Sequence, residues 1–122
     1  NVRPDDPSEG VVYSNNTIDG DIRSEGINVS CLRCTVTGNV VKMTGVLSGT
    51  GIQVYEPGAP SVATVCQENV VSNNTIRIAS TTVSRGIAID SGAGATFGPR
   101  DNLITGNIVV NLGTGTGISV QD

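Results

Sequence analysis

The chain of 122 residues carries seven basic and eleven acidic groups, a formal charge of −4, and has no His, no Trp, two Tyr and one Phe. Without His, Ser-His-Asp and Cys-His catalysis and every His-ligated metal site are excluded, and a single Lys with a pI near 4.5 argues against a nucleic-acid partner. Val, Ile and Thr fill 41 positions, and with 16 Gly, 11 Asn and 11 Ser they describe short strands and turns around a thin, β-branched core, not helices.

In chain order, residues 1–9 read as an extended, charged lead-in. Ser14-Asn15-Asn16-Thr17-Ile18 follows, then Gly26-Ile27-Asn28-Val29. This pair of blocks returns three times, at 37–41 with 51–54, at 72–76 with 86–89 and at 105–109 with 117–120. From the third residue of the first block, always Asn, to the Gly of the second the step is 10 or 12 residues. From that Gly to the next such Asn it is 13, 23 and 21, so only this second arc takes long insertions. A basic period of 23 residues with short alternating strands fits one coil of a solenoid better than the hairpins of a sandwich. Ile and Val, two apart, point into the coil, and Asn28, Gln53, Ala88 and Ser119 point out. Asn16, Asn39, Asn74 and Asn107 fall at one bend of successive rungs, about 4.8 Å apart, where stacked amides form a ladder. No apolar stretch approaches the roughly 20 residues that span a bilayer.

These blocks resemble the parallel β-helix repeats of the pectate-lyase-like superfamily, which includes pectin-degrading enzymes, alginate epimerases and phage tailspikes. The resemblance covers residues 10–122. It implies an all-β fold, a right-handed, single-stranded parallel β-helix of about four rungs with an Asn ladder at one corner and two long loops after the Gly-Ile strands. No amphipathic cap helix is evident at either end, so the expected partners are further β-helix rungs of a longer chain or other copies in a homo-oligomer. An extracellular, cell-surface or virion-surface setting is expected, with a polysaccharide or surface glycan as ligand and with no cofactor and no metal.

Registering the rungs on their Gly residues places Ser30, Tyr55, Asp90 and Gln121 at one outward position and Cys31, Glu56, Ser91 and Asp122 at the next. Glu56 and Asp90 then come from adjacent rungs where the long loops 56–65 and 90–101 begin. As a pair they form a candidate general acid and base for glycosidic bonds, with Arg100 stabilising negative charge. Tyr55, Gln53 and Asp122 are the candidates for substrate contact, since a ring offers a platform for sugars. The plainer reading makes Glu56 and Asp90 solvated residues at strand ends. In the family, several Asp on one sheet, or Asp with Ca²⁺ and an Arg, carry catalysis, and this sequence has no Asp pair within a strand motif. Tyr55-Glu56-Pro57-Gly58 resembles the aromatic-acid-Pro-His signature of alginate epimerases, with Gly58 where the His stands.

Cys31 and Cys34 form a C-x-x-C, but with no second pair and no His they complete no zinc site. Cys31 and Cys66 each lie eight residues before a ladder Asn, which stacks them on adjacent rungs, as a disulfide or as two buried thiols. Asn15, Asn28 and Asn73 head N-x-S/T sequons, and Asn28, outward on a strand, is the best placed to carry a sugar. Asp19, Lys42 and Arg77 share an outward row, the first two forming a cross-rung ion pair on a solvated face. Two functions follow. One is an extracellular structural or binding module of a tailspike-like fibre or surface filament. The alternative is a segment of a polysaccharide lyase or hydrolase acting through paired carboxylates.

Overall fold

The computed structural model describes residues 9–45, 48–57, 66–79, 83–93, 95 and 98–121. Among the described residues, twelve strands follow one another in four rungs of three. The first rung holds β1 (Val12–Ser14), β2 (Thr17–Gly20) and β3 (Glu25–Val29). The second holds β4 (Thr35–Thr37), β5 (Val40–Met43) and β6 (Thr50–Glu56). The third holds β7 (Val70–Ser72), β8 (Thr75–Ile78) and β9 (Arg85–Ser91). The fourth holds β10 (Leu103–Thr105), β11 (Ile108–Asn111) and β12 (Thr116–Val120).

Corresponding strands stack into three all-parallel sheets, β1-β4-β7-β10, β2-β5-β8-β11 and β3-β6-β9-β12, which makes a parallel β-helix of about four rungs. The observed registers align Ile18, Val41, Ile76 and Val109 in the second sheet and Ile27, Ile52, Ile87 and Ile118 in the third, as the repeat spacing requires. Each inward column is therefore a stack of like, mostly β-branched side chains, and the two middle rungs bury Val36, Val41, Ile52, Val54, Val71, Ile76 and Ile87 completely. On the fourth rung, inward Ile118 and Val120 remain 52% and 64% exposed.

The corner before the second sheet explains the Asn/Gly alternation in the first block. Asn15, Gly38, Asn73 and Gly106 all adopt φ of 55–67°, a left-handed bend that Gly and Asn tolerate best. The following Asn carries the ladder. Asn16 Nδ2 donates to Asn39 Oδ1, Asn39 Nδ2 to Asn74 Oδ1 and Asn74 Nδ2 to Asn107 Oδ1, each at 2.9 Å. The backbone N–H of each donor Asn shares the same oxygen, so a bend that cannot join a sheet still has its polar groups paired.

A second, shorter ladder stands at the corner before the first sheet. Asn69 N and Nδ2 both donate to Asn102 Oδ1 at 3.0 Å, and the Cys34 N–H donates to Asn69 Oδ1 at 2.8 Å. Here too the preceding residues, Arg33, Glu68 and Asp101, have φ of 54–57°.

Gly26, Gly51 and Gly86 open the third sheet for a different reason. A Cβ at Gly51 would stand 2.7 Å from Gly86 O and one at Gly86 2.6 Å from Gly117 O, so the rungs touch backbone to backbone at this corner.

Candidate functional site

The third sheet holds four of the six residues that the sequence offers for catalysis and substrate contact, Gln53, Tyr55, Glu56 and Asp90. Its register pairs Tyr55 with Asp90 and Glu56 with Ser91, as expected. The expected carboxylate pair is nevertheless not formed. Side chains alternate along a strand, so Glu56 shares the inner side with Ile52 and Val54 while Asp90 lies on the outer side with Ala88. Glu56 is 2% exposed, and its charge is felt by the core thiol of Cys66. The two carboxylates thus occupy opposite sides of one sheet.

Asp90 is not solvated either. Its Oδ2 accepts from Gln53 Nε2 at 2.8 Å and from the Arg85 guanidinium at 2.6 Å, and the residue is 7% exposed. Gln53 and Ala88 face outward, as expected, but are buried in the same patch. A buried carboxylate must be paired, and Arg85 meets that need. Glu56 Oε2, Ser84 Oγ and Asp90 Oδ1 are buried without a hydrogen-bond partner among the described residues.

Arg100 lies elsewhere, in a parallel bridge with Gln67 at the corner before the first sheet, where its Nε donates to Gln67 Oε1 at 3.0 Å. Tyr55 is half-buried, and its carbonyl accepts from Ser30 Oγ at 2.8 Å. Asp122, Gly58 and most of loop 56–65, with Phe97 in the second loop, lie outside the described residues. Beside Arg85, Arg23, Ser24, Glu25, Thr50 and Val83 rim an open groove of about 480 Å³. Both charge signs meet there, with Ser24 Oγ donating to Glu25 Oε2 at 2.5 Å and Arg23 paired with Asp21.

The cysteines correct another expectation. Cys31 is bonded to Cys34 within its own rung, and Cys66 is a free, buried thiol. The expected stacking does hold, because Cys31 and Cys66 keep the 35-residue step of Thr35 and Val70. But Cys66 Sγ turns to the carbonyl of Val29, to which it donates at 3.5 Å, and accepts from Asn69 Nδ2 at 3.5 Å. Burial, and then the Glu56 charge, push this thiol up to about 11.

Of the sequons, Asn28 is exposed on β3 with Ser30 Oγ 3.3 Å from its Oδ1. The Oδ1 atoms of Asn15 and Asn73 instead lie over Gly38 and Gly106, 2.6 Å from where a Cβ would stand. Lys42 Nζ pairs with Asp19 Oδ2 at 3.2 Å, as the outward row predicts. Among the described residues, no group of three or more His, Cys, Asp or Glu side chains is arranged to hold a metal ion.

Sequence reasoning missed Arg85, the Cys34 half of the disulfide and the Asn69/Asn102 ladder. The last of these had a signal, since each Asn lies five residues before a principal ladder Asn. Val11 and Cys34 hold that place in the first two rungs, so the pattern repeats only twice. Compared with family models, curated proteins and solved structures, the chain matches none.

Proposed function

We propose that the chain is a rigid structural module of an extracellular fibre or surface filament, akin to the fibre-forming members of the pectate-lyase-like β-helices, whose outer faces contact glycans or other copies. The observation that carries this reading is the unbroken axial bonding. Three parallel sheets and the Asn16-Asn39-Asn74-Asn107 ladder tie each rung to the next along a single axis. The carboxylates suited to glycosidic chemistry serve the scaffold instead, one inside the coil and the other held by Arg85 and Gln53. The Cys31–Cys34 bond suits an oxidising compartment.

On this reading a further rung, from the same chain or another copy, pairs along the edge formed by β10, β11 and β12, covering Ile118 and Val120. Two measurements test it together. Light scattering over a range of concentrations is expected to show species larger than the 12.4 kDa monomer. Incubation with acidic and neutral polysaccharides is expected to leave them uncut. New reducing ends or unsaturated products that vanish in Glu56→Gln or Asp90→Asn overturn the structural reading in favour of a polysaccharide-cleaving enzyme. A monomer at every concentration overturns the association between copies.

A further inference from the structure

All three cysteines meet at one corner of the second and third rungs, around the carboxamide of Asn69. Asn69 Oδ1 lies 3.9 Å from Cys31 Sγ and accepts from the Cys34 N–H at 2.8 Å, while its Nδ2 donates to Cys31 O at 3.0 Å and to Cys66 Sγ at 3.5 Å. Cys66 Sγ also lies within hydrogen-bonding reach of the Cys31 backbone N–H, which favours its thiolate. Parallel neighbours stand about 4.8 Å apart, inside the roughly 4.4–6.8 Å between Cα atoms that a disulfide spans. The stacking of the rungs thus sets Cys66 within disulfide range of Cys31, which is already bonded to Cys34.

We infer that this corner is an intrachain thiol–disulfide exchange site, in which Cys66 and Cys34 compete for Cys31 and the crosslink passes between a form closed within one rung and a form that joins two rungs. Cys66 loses its proton and its thiolate attacks Cys31 Sγ. The Cys31–Cys66 bond forms, the Cys31–Cys34 bond breaks, and Cys34 leaves as the thiolate that takes up a proton. One disulfide and one thiol stand on each side, so no electron leaves the chain and no oxidant is needed. The resting form is the one observed, with Cys31 bonded to Cys34. All three residues are at most 2% exposed, which keeps outside thiols from the exchange. With the Cys66 thiol at about 11, roughly one molecule in a thousand carries the thiolate at pH 8, so the step is slow near neutrality and quickens about tenfold per pH unit below that value.

Trypsin separates the three cysteines, because Arg23, Arg33, Lys42 and Arg77 place them on peptides 24–33, 34–42 and 43–77. The native chain is incubated between pH 7 and pH 10, quenched in acid, unfolded, labelled with a maleimide at mildly acidic pH and mapped without reduction. The expected result is a label on Cys66 at the start and a growing label on Cys34, with a matching 24–33 to 43–77 disulfide, at a rate that rises with pH. A label confined to Cys66 at every pH overturns the proposal. A second variant needs no resting disulfide. Cys34→Ser, unfolded and then refolded in a glutathione redox buffer, so that the reagent meets both thiols before they are buried, is expected to close Cys31 to Cys66 and retain no glutathione. A lasting glutathione adduct on Cys31, or two unreacted thiols, overturns it equally.

Discussion

A ladder Asn does several jobs with one carboxamide. Asn74 Oδ1 accepts from both Asn39 N and Asn39 Nδ2, while its own Nδ2 donates to Val36 O and Asn107 Oδ1. Asn74→Ala strands several buried groups at once, each costing about 1–3 kcal/mol when unsatisfied. A loss of roughly 3–4 kcal/mol is expected in urea unfolding, against about 1 kcal/mol for the exposed Asn16→Ala. Lys42→Ala, which removes only an exposed ion pair with Asp19, is expected to change the same midpoint by less than about 0.5 kcal/mol. Cys66 gives the stability curve a pH dependence of definite sign. Its folded-state value of about 11 lies above the 9.0 of a free thiol, so the unfolded chain ionises first. The contribution is full below pH 9 and is lost as pH rises toward 11, and Cys66→Ala is expected to remove that slope from denaturation midpoints measured between pH 8 and 11.

Between strands, the Gly of the Gly-Ile-x-Val block sets how closely rungs approach. A Cβ at Gly86 would meet Gly117 O at 2.6 Å and Val109 Cγ1 at 2.5 Å. Since a backbone carbonyl cannot swing aside as a flexible side chain can, Gly86→Ala is expected to destabilise by about 1–3 kcal/mol in the same unfolding assay. Glycine, ladder Asn and the inward Ile/Val columns each recur with the rung, which is why register, sheet direction and rung count were all legible in the sequence. The site was less so, for a reason that Glu56 and Asp90 make plain. Rung arithmetic reports which residues stack, while strand alternation reports which side they face, and adjacent columns face opposite ways. Applied to Glu56, alternation sets it beside Val54, inside. That the outer residue Asp90 would also be covered could not be read from spacing, because its burial depends on the long side chain of Arg85 reaching it from the start of the same strand. The disulfide followed the same division. The repeat stacked Cys31 on Cys66 correctly, but the bond went to Cys34, three residues away along the chain.

At the scale of the molecule the three sheets share one axis, and each rung rests only on its neighbours, so stability is a sum of rung terms and rung-to-rung interfaces. The second and third rungs have a neighbour on both faces, and their inward side chains from Val36 to Ile87 are fully buried. The fourth has a neighbour on one face, with Ile104 and Val109 half-buried and Ile118 and Val120 largely exposed. Amide exchange should therefore be graded along the axis. Amides of β5, β6, β8 and β9 are expected to exchange by global unfolding, with the slowest rates, and those of β10, β11 and β12 by local opening at rates at least tenfold faster. If the fourth rung stacks on another copy, its inward side chains gain the cover that the middle rungs already have. Raising the protein concentration should then slow exchange in β10–β12 selectively, leaving β5 and β8 unchanged. Equal protection of all four rungs in the dilute chain would contradict the additive picture, and exchange in β10–β12 that ignores concentration would contradict the stacking.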